Sequence, residues 1–280
     1  MDLWELAVEY ESIRGNISAQ EVFNKMKNIC KIMQESIIKG IEQTDYQDRI
    51  LGYQSGVFKE KMENHGILEL GLLNQIILNI TAMMEVKSSM GVIVAAPTAG
   101  ACATLPGALI GAANMMGMNE DDLIKAMLAA SIIGIFIAIH STFSAELGGC
   151  QSETGSAAGM AAAGLIHLGK GNLHQAISAA SMTLQNTFGL ICDPVGNRVE
   201  VPCLGKNVMG ASNALSSANM ALANFDAVVP LDEVIKAMNE VGKSIPRELR
   251  CTALGGLSIT KTSKMIQKKL DKVHLMLPME

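Results

Sequence analysis

Aromatic side chains are scarce in this chain, at 4% of 280 residues. Packed β-sheets draw heavily on Tyr, Trp and Phe, so the shortage argues against a sandwich or barrel. Clusters of basic residues are missing too. The net charge is −5 at pH 7, with no basic stripe of the kind that binds phosphates, which excludes a nucleic-acid surface. The one Lys-rich run, Lys261 to Lys272, reads as the solvated face of a terminal helix. The opening Met1-Asp2-Leu3-Trp4-Glu5 carries acidic groups where a secretory leader has its basic segment. A cytosolic protein with reduced thiols is therefore expected. No C-x-x-C pair and no C-x-x-C…H-x-x-x-H spacing occurs, so a structural zinc site has weak support, although a Cys3His site using His140 or His167 stays open.

What is abundant points to helices. Met (19), Gly (26) and Ala supply small and adaptable side chains for close helix contacts, and the expected fold class is all-α, a helical bundle with a cluster-binding loop region. Apolar residues make up 49% of the chain, enough for a substantial core. Asn16-Ile17-Ser18 opens a helix in which Val22, Met26, Ile29, Cys30 and Met33 recur at three- and four-residue steps. Gln43 to Asn64 reads as a polar connector, and Leu68 to Glu85 resumes a helix. From Met90 the charges thin out and a core bundle begins, so the chain divides into an N-terminal helical segment, 1–88, packing on a core, 89–280. Ala126 to Ala145 is long enough to span a bilayer, but its Ala, Gly, Ser and Thr content and His140 suit a central buried helix instead, and no membrane is expected. Asn172 with Gln175 forms a capping box that launches a helix to about Gly189. Further helices are expected from about Gly155, from Val208 to Ala223, and from Leu231 to Gly242 before Pro246.

Of six cysteines, Cys30, Cys102 and Cys251 read as small packing hydrophobes. Cys150, Cys192 and Cys203 differ. They sit in Gly- and Pro-punctuated turns, and the step from Cys192 to Cys203 contains Pro194, Gly196 and Pro202 and cannot be helical. Three thiolates suffice for three corners of a cubane iron-sulfur cluster, leaving the fourth iron free to act as a Lewis acid. A second constellation is Ala96-Pro97-Thr98-Ala99-Gly100-Ala101, a small-residue turn whose backbone N–H groups and Thr98 hydroxyl suit a carboxylate.

Four motifs in order resemble the α subunit, or α domain, of iron-sulfur-dependent L-serine dehydratase. They are Met90-Gly-Val-Ile-Val-Ala-Ala-Pro-Thr-Ala-Gly-Ala-Cys, Gly149-Cys-Gln-Ser-Glu-Thr-Gly-Ser-Ala, Cys192-Asp-Pro-Val with Val199-Glu-Val-Pro-Cys, and Met209-Gly-Ala-Ser-Asn-Ala. The resemblance runs over nearly the whole chain. It implies a 4Fe-4S cluster on Cys150, Cys192 and Cys203, the substrate carboxylate near Thr98, Ala99 and Gly100, and no pyridoxal phosphate. It further implies a lyase that takes the Cα proton of L-serine and expels the β-hydroxyl at the open iron. The resulting enamine gives pyruvate and ammonia.

The family's His-bearing β domain is absent from this sequence, so a separate β subunit is expected, in an oligomer. Met84, Lys87, His140 and Gln185 depart from the residues usual at their positions, changing hydrogen-bonding capacity near the site. His140 is then a candidate proton-transfer base, being the side chain that titrates near neutrality, against the plainer reading of a packing histidine. Two other functions stand beside serine dehydration. One is a lyase on another β-substituted amino acid, cysteine desulfidase-like; the other is a non-catalytic, metal-binding helical partner subunit.

Overall fold

The computed structural model describes residues 1–276 and is all-α: among the described residues no strand forms beyond an isolated bridge between Cys192 and Arg250. Helix starts are written locally. α1 (Leu3–Gly15), α2 (Ala19–Glu42), α6 (Glu120–His140) and α9 (Leu173–Gln185) each open on a reciprocal capping box, built on Asp2/Glu5, Ser18/Glu21, Asn119/Asp122 and Asn172/Gln175. Each box satisfies backbone N–H groups that the helix itself leaves without partners.

The polar connector contains a helix that its composition concealed, α3 (Ser55–Glu63). It is seated by a buried carboxylate rather than by an apolar face. Glu85, on α4 (Leu72–Ser88), accepts from the backbone N–H of Ser55 at 3.2 Å and from its hydroxyl at 2.7 Å. The connector itself is tied down by Glu200, which accepts from the N–H groups of Ile50 and Leu51 at 3.1 Å each.

At the centre lies α8 (Ser156–Leu168), in which every residue except His167 is buried. It packs against α6, α9, α10 (Cys203–Leu222) and α5 (Thr104–Met115). Small residues make this possible: a Cβ on Gly164 would stand 2.7 Å from Leu109 Cδ1 and 2.8 Å from the Ala126 carbonyl oxygen, so neighbouring helices touch there backbone to side chain. The first two helices close the bundle, α2 on α4 and α1 on α6, while α11 (Leu231–Ser244) lays its apolar face on α9. α6 is long and apolar enough to cross a membrane, but 61% of its apolar window is buried inside the protein, as suits a core helix. α12 (Lys261–Met276) packs on the single helical turn Val195–Asn197 and exposes Lys261, Lys264, Lys268, Lys269 and Lys272, the solvated face expected of that run.

Candidate active site

Three irregular segments meet at one end of α8 and α10. The first is Ala96 to Ala103, ahead of α5. The second runs from the short helix α7 (Ala145–Gly148) through Cys150 into a π-helical turn, Gln151–Gly155, that feeds α8; such turns recur at functional sites. The third is the loop from Gly189 to Pro202. Cys203 is not on a loop but is the first residue of α10. Helix geometry then places Lys206 on the same face as Cys203.

Polar side chains, buried and fully used, hold the segments in register. Gln151 donates to the Met238 carbonyl at 2.7 Å and accepts from the Gly189 N–H at 2.8 Å, tying the π-turn to α11 and to the third segment. Asn207 donates to the carbonyls of Gly100 and Cys203, both at 2.9 Å, and accepts from the N–H and hydroxyl of Thr104. It thereby fixes the first segment to the start of α10. Asp193 accepts from Lys206 Nζ at 2.9 Å and from the Leu257 N–H at 2.9 Å.

This framework brings the three sequence-predicted cysteines together, all buried and all free thiols. Cys150 and Cys192 lie in mutual sulfur contact within one small apolar cluster. Lys206 Nζ stands 3.7 Å from Cys150 Sγ and donates to the Ile191 carbonyl at 2.7 Å. Burial pulls the Lys206 ammonium down, but Cys150 and then Asp193 outweigh it and leave it above its ordinary value. Burial pushes the Cys203 thiol up to about 12, against Lys87 and Lys206, and contacts with Cys150 and Cys251 hold the Cys192 proton in place. Thiols in this state give up their protons when a cation binds. No group of three or more His, Cys, Asp or Glu side chains among the described residues converges as a single metal ion requires. His167 is at the far end of α8 from the π-turn, roughly 16 Å along the axis, and so is no partner for a Cys3His zinc site. A buried, thiol-rich niche bearing a lysine is the donor chemistry of an iron-sulfur cluster.

Glu153, three residues after Cys150, was missed by the sequence reading except as part of a motif. It accepts a 2.6 Å hydrogen bond from the Thr98 hydroxyl, and a Cβ on Gly100 would lie 2.6 Å from its Oε1. Burial raises its carboxyl above the usual range, partly offset by the Thr98 bond. Ala99 and Gly100 line a cavity of about 420 Å³ together with Lys87, whose ammonium is lowered by burial and donates to the Val199 carbonyl.

His140 is elsewhere. It is exposed and lines a different cavity, of about 470 Å³, with Phe136, His174, Asp226 and Val228, and none of the thiols, Thr98 or Gly100 faces that space. Gln185 turns toward the Ala227 carbonyl at 3.0 Å, on that same side, and Met84 is buried in the core. Of the four departures, Lys87 alone lines the cavity beside Gly100. The surprise among the cysteines is Cys251. It is not a core residue: half-exposed, it packs against the Cys150 and Cys192 cluster and its thiol meets that of Cys192.

A bundle whose irregular end gathers three thiols beside a buried acid and lysine is the architecture of a lyase subunit with a metal centre. The serine dehydratase alpha chain family model matches residues 1–258, and the chain belongs to that family. It is 36% identical to the probable L-serine dehydratase alpha chain of Bacillus subtilis, over 90% of this chain and 84% of that one. It is 35% identical to the L-serine dehydratase alpha chain of Peptoniphilus asaccharolyticus, over 96% and 93%. Against the L-serine dehydratase of Helicobacter pylori, identity is 36% over 72% of this chain but only 46% of the longer relative.

Proposed function

We propose that this chain is the cluster-bearing half of an L-serine dehydratase that converts L-serine to pyruvate and ammonia. The observation that carries the reading is the convergence of Cys150, Cys192 and Cys203, far apart in sequence, on one lysine-bearing niche next to the Glu153–Thr98 pair. The three thiolates would hold a 4Fe-4S cluster. When bound, that cluster supplies Lewis acidity at the iron no cysteine fills, so that the β-hydroxyl of serine can leave.

The chain's own residues do the rest. Lys87, at the cavity that Ala99 and Gly100 line, attracts the substrate carboxylate, and the small residues of the turn let it approach the backbone. Holding the substrate there orients Cα–H relative to a base, which lowers the barrier by removing rotational freedom beforehand. Glu153 is placed to take the Cα proton, because a partly desolvated carboxylate is a stronger base than one in water. Thr98 fixes which way that carboxylate faces. Loss of the proton and of the hydroxyl as water gives the enamine, which tautomerises and takes up water to yield pyruvate and ammonia. His140 is set aside as base, since it faces a different cavity.

A separate β chain is part of the proposal. It is supported by the alpha-chain names of the relatives that match end to end and by the single-chain relative, of which this chain matches about half. Exposed Met90, Val92, Leu147 and Leu254 surround the site and suit a covering partner. The test is an anaerobic pyruvate assay with L-serine and L-cysteine, with and without a β chain. Pyruvate from serine with the β chain present, lost in Glu153→Gln while iron content is kept, supports the reading. No pyruvate from either amino acid with a full cluster and a β chain contradicts it.

A further inference from the structure

Cys251 carries an inference of its own. Its backbone N–H donates to the Cys192 carbonyl at 2.9 Å, and the Cys192 N–H donates to Leu249, so the two strands run side by side and their thiols face each other. The segment is pinned beyond Cys251 as well: Leu257 N–H binds Asp193 Oδ2 at 2.9 Å, and the Ser258 hydroxyl binds the Pro194 carbonyl at 2.8 Å. Between these anchors, Cys251 and Ala253 both adopt left-handed backbone, at φ 59° and 57°, a conformation that side-chain-bearing residues hold only when their surroundings enforce it. The fold thus presents a fourth thiol to the site, half-exposed where the other three are buried.

We propose that Cys251 is a fourth thiolate for the cluster, occupying in the absence of substrate the iron position that Cys150, Cys192 and Cys203 leave open. This rests on the cluster reading above. Cubane clusters are held by up to four thiolates, and a half-exposed ligand on a surface segment is the one a substrate hydroxyl can displace by rotation of a single side chain. The occupied corner also protects the cluster. Mild oxidation of a three-thiolate cluster removes one electron, releases one ferrous ion and leaves a 3Fe-4S species. A fourth thiolate opposes that release.

The experiment compares wild type with Cys251→Ala, and with Cys251→Gly, for which left-handed backbone carries no penalty. The full chains are reconstituted anaerobically, iron and sulfide are counted, and an equivalent of ferricyanide is added while iron release and the 3Fe-4S paramagnetic signal are followed. Both variants should begin with the wild-type iron content and then lose the first iron at least about tenfold faster, the low end of what losing a supporting group costs a metal site. Equal release rates in all three proteins would overturn the assignment. A lower starting iron content in the variants would overturn it too, by making Cys251 an obligatory ligand. If no protein, wild type included, takes up iron, the cluster reading itself fails and this inference with it.

Discussion

The middle of the bundle and its thiol-bearing end are built on opposite principles. Around α8 the contacts are apolar and made by small residues: Ala157, Ala158, Ala161, Ala162 and Ala163 are fully buried, and Gly164 lets α5 and α6 close in. Such a region is stabilised by area removed from water and by density of packing. At the other end the chain leaves regular structure, and buried polar side chains (Gln151, Asp193, Asn207) decide where each segment lies. Unpaired, these groups would each be costly in the interior; paired, they specify one arrangement. The centre can therefore tolerate exchanges of similar volume, whereas the site cannot lose a single hydrogen-bonding partner without moving a thiol.

The difference is sharpest for cysteine itself. Replacing Cys150, Cys192 or Cys203 by Ser should abolish iron retention, read by iron analysis after anaerobic reconstitution, while far-ultraviolet circular dichroism stays native. Cys30→Ser, in the core stripe of α2, should leave iron untouched and lower the melting temperature instead.

Next in size is Lys206→Met. It leaves Asp193 buried without its cation and should cost about 3–5 kcal/mol in denaturant unfolding, because Lys206 also anchors the Ile191 carbonyl beside Cys150. A loss confined to iron content, with stability unchanged, would show that the pair serves only the metal.

In the centre, Gly164→Ala should cost about 1–3 kcal/mol by overpacking, since its Cβ would meet backbone as well as a side chain. Per folded molecule, iron content should be unaltered. Iron loss in that variant would show that centre and site are not independent.

The smallest expected effect is a change of pH dependence. The Thr98 hydroxyl favours the charged form of Glu153, so Thr98→Val should raise an already raised carboxyl further. If Glu153 must be ionised to accept a proton, activity is lost as pH falls through its pKa, and the acid limb of the kcat profile should move to higher pH. A limb that stays put would assign it to another group.

Most of the helical centre was legible in the sequence, because period-3.6 patterns, capping boxes and the run of Ala and Gly are local signals. The α9 start at Asn172 and the α11 stop before Pro246 needed only neighbouring residues. α3 was hidden because its anchor is a distant buried carboxylate, Glu85, that no local pattern announces. At the site, the three loop cysteines stood out by their Gly and Pro surroundings, yet Glu153, Lys206 and Cys251 did not. Two of these carry a local trace, Lys206 being one helical turn beyond Cys203 and Glu153 three residues beyond Cys150. Cys251 carries none: its place beside Cys192 depends on a backbone pairing between segments that meet only in the folded chain. His140 shows the reverse error, a residue close to Cys150 in sequence that the turn after α6 directs into another cavity.

The central claim is that the irregular end of the bundle is a cluster site, and iron, sulfide and zinc analysis of the anaerobically prepared full chain tests it most directly. About four iron and four sulfide per chain, as a cubane requires, with none retained when Cys150, Cys192 or Cys203 is Ser, is the predicted result. One zinc per chain, with neither iron nor sulfide, would contradict it.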